Sequence, residues 1–540
     1  MHSHTPAPAE APAGTLIAGQ TAAHRKGRPT RWRGPSGWPL LPVLIVQALL
    51  SLRLVRADTA YQDEAQALWA GHLQWANWLH GMPIPPLPYY LSGAPVIYPP
   101  LGALADHAGG LTAARVLSLV FMLAATTLLW SAARQQYGRR AAFFAAALFA
   151  VLGPTLHLGA FATYDSLSMV FVALAAWCVL RVGNWGEAPG RMIAAGAALA
   201  LANATSYSTI LFDVLVPVLA ALAVVPAMGG RIALRRVAIL LTTLIAFLAA
   251  GLLIGGSIYL IGLKRFILTP VVHTNSPLSV LSSSWYWAGV LVVLAVAGVV
   301  FSAVRREGRA HIWLLAVLAA AAILGPAEQA WLHTAALLNE HVGVGAWFAA
   351  IAAGYAVDRF VAAAPAGRQQ AFTSATCVIA LVFPVYLGAV QSWSFATSWP
   401  NAKAFIAVFR PLADHGHGRM LVEDPSIARY YLPAGREWRR WSSTRTITLP
   451  SGASTGNAVA TAGIVAAGNA ATFAKYIAKG YFTYVALNFA DTSALDHGLA
   501  TLLHRNPHYR TIQVVPYGIE VPPLGQGTYV IWKYEAHPTR

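Results

Sequence analysis

Charged side chains are scarce in this 540-residue chain: Asp, Glu, Lys and Arg make up 11% of it, against roughly 25% in an ordinary soluble domain. Cysteine is scarcer still, and the two present, Cys178 and Cys377, both sit inside apolar runs. A thiol there behaves as a small hydrophobe, which excludes a disulfide-stapled secreted fold, a zinc site and thiol catalysis. Acidic residues number 20 against 37 Lys and Arg, giving a formal net charge of +17. Such an excess elsewhere points to nucleic acid. Here the basic residues are spread over short loops between apolar runs instead of gathering on one face, so no nucleic-acid partner is expected. What the sequence has in quantity is hydrophobicity, with 57% of residues in the AVILMFWYC set and a mean hydropathy of +0.54. Its apolar runs of about 20 residues are long enough to cross a hydrocarbon core of about 30 Å. The class is an α-helical polytopic membrane protein.

Apolar runs near 38–55, 112–132, 141–158, 164–180, 192–206, 208–227, 237–262, 285–304, 311–325, 342–360 and 371–391 predict about eleven transmembrane helices. The division at Asn203 to Ser208 (NATSYS) is the critical one, because reading it as a single element would invert everything downstream. Lys and Arg are retained on the cytoplasmic side of a membrane. Eighteen of them fall in the tail and loops on one side, among them Arg134, Arg139, Arg140, Arg305, Arg306 and Arg309. Five fall on the other: Arg53, Arg56, Arg115, Lys264 and Arg265. This asymmetry predicts a multi-pass protein of the cell (plasma) membrane with a cytoplasmic amino terminus and an extracytoplasmic carboxy terminus. Residues 1–36, rich in Pro, Ala and Gly with a basic cluster from His24 to Arg33, are expected to be a disordered cytoplasmic tail. The first apolar run has no small-residue cleavage site, so it is expected to stay as a span. Residues 37–391 form the membrane domain, with a long first extracytoplasmic loop at 57–111. From 392 to 540 the charge density rises and the runs shorten. β-like segments at 420–423, 481–489, 511–517 and 528–534, with helix-like stretches at 470–478 and 493–504, predict a C-terminal extracytoplasmic α/β or α+β domain.

A charge at the centre of a membrane helix costs roughly 2.5–3.5 kcal/mol, so acids at span ends call for a function. On this topology they collect outside: Asp58, Asp63, Glu64 and Asp106 in the first loop, Asp165 opening the fourth span, Glu328 and Glu340 before the tenth. The loop also carries Leu68, Trp75 and Leu79 on one helical face, which fits a helix lying along the membrane surface or Trp anchors at the headgroups. His72, His80 and His107 have no metal-ligand spacing; no metal site and no cofactor are predicted, a divalent cation being left open.

Four segments carry a resemblance: the Asp63-Glu64 pair after span one, GGLTAARVLSLVF opening span two, RQQYGRRAAFFAA at the turn into span three, and GAFATYDSLSMVF opening span four. In this order and spacing they resemble the lipid-linked-sugar glycosyltransferases of the GT-C fold. The nearest likeness is to the bacterial branch related to dolichyl-phosphate-mannose protein mannosyltransferases and the lipid A aminoarabinose transferase (glycosyltransferase family 39-like). The likeness covers roughly residues 55–210, and HTAALLNEHVGVGAWFAAIAAGYAV extends it to 330–360.

The resemblance implies a GT-C membrane domain and inverting transfer of a sugar, hexosyl or pentosyl, from a polyprenyl-phosphate donor. The acceptor would be a protein, lipid or cell-envelope glycan at the outer face, with membrane lipids as surroundings. A base must take the acceptor's proton and cations must steady the departing phosphate. By motif position Asp63 is the candidate base, its neighbour Glu64 orients the acceptor or helps hold the loop, and Asp165 is a second acidic group or the ion-pair partner of Arg115. Arg115, Lys264 and Arg265, the scarce outer cations, are candidates for the donor phosphate, with snorkelling to headgroups as the alternative for the last two. Tyr98 and His341 are candidate substrate or donor-phosphate contacts, a polar helix cap being the alternative for His341. The competing function is a transporter or flippase for a polar or lipid-linked solute. That class often shows internal repeats, which this sequence lacks.

Overall fold

The computed structural model describes residues 39–181, 188–268, 275–399, 401–414, 418–449, 464–467, 469–490, 492–516 and 527–537. The expected amino-terminal tail and most of the Gly-rich stretch at 451–468 lie outside the described residues. The first half is helical: α1 (Leu40–Leu52), α2 (Gln62–His80), α3 (Tyr98–Tyr137), α4 (Arg139–Ala150), α5 (Gly153–Leu158), α6 (Asp165–Leu180), α7 (Ala188–Thr205), α8 (Leu215–Leu222) and α9 (Val225–Met228). It continues through α10 (Gly230–Leu268), α11 (Pro277–Val304), α12 (Arg309–Trp331), α13 (Leu338–Ala363), α14 (Arg368–Ala380) and α15 (Val382–Ala396).

Among the described residues seven helical segments are long and apolar enough to cross a membrane: Tyr98–Tyr137, Tyr207–Met228, Gly230–Phe266, Pro277–Val304, Arg309–Trp331, Leu338–Ala363 and Arg368–Ala396. The runs expected near 38–55 and 164–180 form the shorter apolar helices α1 and α6. The run at 141–158 is two helices, because Gly153-Pro154 restarts the chain as α5 and proline suits a first turn whose N–H groups have no helical partner. The division at NATSYS is real: α7 ends at Thr205, a 3₁₀ turn covers Tyr207–Phe212, and Asn203 Nδ2 donates to Asp213 Oδ2 at 2.7 Å across it.

Helix–helix contacts inside the bundle are built on small residues, which let backbones approach where lipid offers no hydrophobic drive. The largest core joins Ala142, Ala145 and Ala146 of α4 with Ala346, Ala349, Ala350 and Ala353 of α13, and α13 is buried along most of its length. At the end of α13 remote from Glu340, Arg140 pairs with Asp358 at 2.6 Å.

Two departures from straight helices place the site. Pro99 and Pro100 open α3 inside the long first loop expected at 57–111, and the helix then kinks at Gly109 and Gly110. Gly110 has φ +67°, where a side chain is strained, so Tyr98–Ala108 lies at an angle to the spanning part. Helix α10 breaks at Gly256, and its last turns run against the Pro-rich loop. There a Cβ on Gly262 would come within 2.3 Å of the Pro88 carbonyl oxygen, so only glycine permits the contact.

The carboxy-terminal region holds α16 (Lys403–Asp414), β1 (Met420–Val422), α17 (Ser426–Tyr431), β2 (Trp441–Ser442), β3 (Thr446–Thr448), β4 (Ile464–Ala466), α18 (Ala470–Ala478), β5 (Tyr484–Leu487), α19 (Ser493–Arg505), β6 (Tyr509–Pro516) and β7 (Thr528–Tyr534). Its main sheet has the order β2-β1-β5-β7-β6, with β1 parallel to both neighbours and β7 antiparallel to β5 and β6. One face of the sheet is covered by α16, through Phe405 and Phe409, and the other by α18 and α19, through Phe473, Ile477, Leu499 and Leu503. β1 and α17 carry this region onto α2 and the first loop.

Candidate active site

Helix α2 begins with the Asp63-Glu64 pair in its first turn, where carboxylates favour the positive end of the helix dipole. Their environments differ completely. Glu64 is fully buried. Its Oε1 accepts from Arg115 Nε at 2.8 Å and from the Ala162 backbone N–H at 2.7 Å. Its Oε2 accepts from Arg115 Nη2 at 2.7 Å and from the Tyr61 N–H at 2.9 Å. Arg115, 1% exposed, completes its fork on the carbonyls of Val55, Asp58 and Thr59. One buried ion pair thus ties α2, α3 and the loop leading to Asp165. Both expectations for Arg115 are corrected: its donors are engaged by protein acceptors, so it is not placed to hold a phosphate, and its ionic partner is Glu64, not Asp165. Glu64 is likewise saturated, with four hydrogen bonds on its two oxygens.

Asp63 is half-buried and lines a cavity of about 320 Å³ together with Tyr61, His157, Phe161, Thr163, Asn339, Glu340 and Trp399. Asp165, at the start of α6, accepts from Ser206 Oγ at 3.2 Å. Glu340, at the start of α13, is in electrostatic contact with both Asp63 and Asp165, and all three act on Tyr164. Three carboxyl groups from α2, α6 and α13 therefore converge. His341 is buried beside them; its Nδ1 lies 3.1 Å from Glu328 Oε2, and its Nε2 has no hydrogen-bond partner. It lines none of the cavities described here. Tyr98 is sealed in the core among Ala67, Leu167 and Phe121, which corrects its expected contact with substrate. Among the described residues no group of three or more His, Cys, Asp or Glu side chains is arranged to hold a metal ion.

On the other side of the α2 amino terminus lies a cavity of about 470 Å³, lined by Gln62 and Gln66, Tyr89 to Ser92, Gly262, Arg265 and, from the carboxy-terminal region, Glu423, Asp424, Ser426, Arg429 and Arg445. Arg265 donates from Nη1 to the Tyr89 carbonyl at 2.7 Å and lies over the Tyr89 ring at 3.8 Å. Lys264, its neighbour, is exposed and lines no part of this cavity. Arg429 is 6% exposed, faces the rings of Trp69 and Tyr90, and keeps Nε without a hydrogen-bond partner. Burial lowers its pKa, opposed by Tyr90 and Asp424, and burial raises that of the Tyr90 phenol. The sequence analysis missed Arg429 and Arg445: nothing local to SIARYY marks it as facing a loop more than 300 residues earlier.

The carboxy-terminal region also holds the first loop and α2 directly. Trp399 Nε1 donates to the Thr59 carbonyl at 3.0 Å, Trp69 Nε1 to Gly435 O at 2.9 Å, and Tyr430 Oη to Asp106 Oδ1 at 2.6 Å, whose other oxygen lies 2.6 Å from His72 Nε2. Tyr431 Oη accepts from the buried Ala60 N–H at 2.7 Å. Tyr431→Phe leaves that donor unpaired, a loss of about 1–3 kcal/mol. The expected outcome is a lower melting temperature in detergent; an unaltered melt would show that this bond does not anchor the loop.

Residues 103–254, the stretch that includes Arg115 and Asp165, match a family model described as dolichyl-phosphate-mannose-protein mannosyltransferase. No curated protein matches the chain. In fold the chain is similar to ArnT from Cupriavidus metallidurans in the apo state, with TM-score 0.56 and 16% identity over 92% of this chain and 97% of that one. It is also similar to ArnT bound to undecaprenyl phosphate, with TM-score 0.52 and 16% identity over 93% and 99%. The archaeal oligosaccharyltransferase AglB from Archaeoglobus fulgidus, in complex with an inhibitory peptide and a dolichol-phosphate, gives TM-score 0.53 and 14% identity over 91% of this chain and 75% of that one. These likenesses establish the GT-C architecture of a helical membrane bundle with a carboxy-terminal sheet-bearing region.

Proposed function

We propose that this chain, a GT-C protein of the ArnT and protein-mannosyltransferase type, is an inverting glycosyltransferase that moves a sugar from a polyprenyl-phosphate donor to an acceptor at the outer face of the plasma membrane. One observation carries the reading: at the α2 amino terminus, Gln62 lines a cavity in which Arg265, Arg429 and Arg445 outnumber the carboxylates of Glu423 and Asp424, the former already holding the Asn488 and Thr492 N–H groups, while Asp63 lines a second cavity that has carboxyl groups and no Lys or Arg. The first suits a departing phosphate and the second an arriving hydroxyl. Asp63 takes the acceptor's proton as its oxygen attacks the anomeric carbon. The bond from that carbon to the phosphate oxygen breaks, and the polyprenyl phosphate leaves with the electron pair, steadied by Arg265 and Arg429. Asp165 and Glu340 shape the field around Asp63.

The donor's chain has an apolar approach beside Arg265. A groove of about 330 Å³ runs between Pro85–Pro88, Pro95 and Val96 and the kinked part of α10 at Gly255, Ile258 and Tyr259. The same end of the bundle is poor in Lys and Arg in sequence, while Arg134, Arg139, Arg140, Arg305, Arg306 and Arg309 mark the opposite loops. That bias supports an outward-facing site. The ArnT and AglB structures that contain undecaprenyl phosphate and dolichol-phosphate support a lipid-phosphate donor.

The test is a purified, liposome-reconstituted protein given polyprenyl-phosphate sugars of several kinds. Free polyprenyl phosphate should be released in step with acceptor glycosylation, and Arg265→Gln should raise the donor KM about tenfold or more, the loss of one charge-assisted contact of roughly 1.5–3 kcal/mol. Movement of the intact donor across the bilayer without cleavage would instead identify a flippase.

A further inference from the structure

Resting on that reading, we infer that the cavity beside Asp63 takes a neutral saccharide, so that the acceptor is a glycan hydroxyl and not a peptide side chain, an acyl lipid or a phosphorylated headgroup. The cavity has two unlike walls. One is a continuous aromatic surface: Tyr61 meets Trp399 edge-on at 5.8 Å between ring centroids, Trp399 meets Phe161 at 4.8 Å, and Phe161 meets His157 at 3.8 Å. The other carries hydrogen-bonding groups, Asp63, Glu340 and Asn339, with Thr163 beside them. Glu340 is 9% exposed and lies in hydrogen-bonding contact with Asp165. A ligand that enters beside such buried carboxyl groups is favoured if it brings hydroxyl donors and disfavoured if it brings none.

A pyranose or furanose ring offers the matching pair of surfaces. Its C–H face packs on aromatic rings, and its hydroxyl edge donates to carboxylates and the Asn339 amide. Pockets of this kind combine an apolar body with a few placed polar groups. The other acceptor classes fit less well. An acyl chain would desolvate Asp63 and Glu340 without replacing their hydrogen bonds. An extended peptide gains affinity chiefly from backbone pairing to a sheet edge, and this cavity is lined by helix ends and turns, with none of the strands contributing. A phosphate or other anion would face two carboxyl groups with no Lys or Arg in the lining, a like-charge arrangement without compensation.

The experiment offers the reconstituted full-length protein one cleavable polyprenyl-phosphate sugar together with either neutral oligosaccharides, a Ser/Thr-containing peptide or a phosphorylated glycolipid. The expected result is sugar transfer to an oligosaccharide. Asn339→Ala and Trp399→Leu should each raise the KM for that acceptor about tenfold or more while the donor KM stays within twofold. Because Trp399 also bonds the Thr59 carbonyl, Trp399→Phe, which keeps a ring and loses the N–H, serves as the folding control and should retain most acceptor affinity. Transfer to the peptide or the phosphorylated glycolipid alone would overturn the inference. So would donor cleavage that oligosaccharides do not accelerate, or an acceptor KM that neither variant moves. A protein that cleaves no donor under any condition would refute sugar transfer itself, and with it the inference.

Discussion

Asp63→Asn is expected to abolish most turnover, by roughly 10²–10⁴-fold in kcat, the range that a positioned general base contributes. The argument starts from the α2 amino terminus. Of the two adjacent carboxylates, Glu64 has four hydrogen bonds on its two oxygens and no exposure, so it cannot accept a further proton without breaking the ion pair that holds the loop. Asp63 is half-buried and lines a cavity. Asparagine keeps the volume and the polar contacts of the side chain, so the fold and donor affinity should survive. Measured as initial rates of sugar transfer, with donor binding assayed in parallel, the variant should show intact binding and lost chemistry. Turnover within a few-fold of the native protein would remove Asp63 from the proton transfer and direct attention to Glu340, which lines the same cavity.

The motifs that made this site legible are those bound to one another by the buried ion pair. Glu64 physically joins the three segments, Asp63-Glu64, Arg115 and the stretch before Asp165, through Arg115 on α3 and through the Ala162 N–H. Their roles were less legible. Sequence alone marks Arg115 as a rare cation near a lipid-phosphate site; only its burial among the carbonyls of Val55, Asp58 and Thr59 reveals a structural fork. Arg265 could be singled out by scarcity. Arg429 could not, since its burial against Trp69 and Tyr90 depends on α17 docking on α2, a tertiary event with no local period. The strands at 420–422, 484–487, 509–516 and 528–534 follow the apolar runs because strand burial imposes its pattern on short segments. The amphipathic helix α16 escaped notice beside the membrane spans. The Pro-rich loop hid a helix start at Tyr98–Pro100 for a reason that is itself physical: proline breaks a helix in its interior but suits its first turn.

The largest effect on the folded state is expected from breaking the Glu64–Arg115 pair. Glu64→Gln or Arg115→Met leaves one charge buried without its counter-charge, and removing one member of such a pair costs about 3–5 kcal/mol. The pair also organises neutral groups: in Glu64→Gln one of the Tyr61 and Ala162 N–H groups meets an amide NH2 in place of its acceptor oxygen, and in Arg115→Met the carbonyls of Val55, Asp58 and Thr59 lose their donors. Either single variant should therefore lower the melting temperature in detergent and reduce activity more than it reduces donor affinity. The double variant Glu64→Gln/Arg115→Met separates charge from geometry. With both charges gone, the buried-charge penalty vanishes, and stability should recover by more than the sum of the single losses predicts, since residues in one hydrogen-bonded network are not additive. Activity should stay low, because Asp63 is adjacent in sequence and depends on the same turn for its position. If the double variant were as unstable as the sum of the singles, the charge interaction would be a minor part of what holds the loop, and the backbone contacts of Arg115 would carry the rest. If instead its activity returned with its stability, the geometry imposed by the pair would be dispensable, and Asp63 would be positioned by the docked carboxy-terminal region through Trp399 and Tyr431.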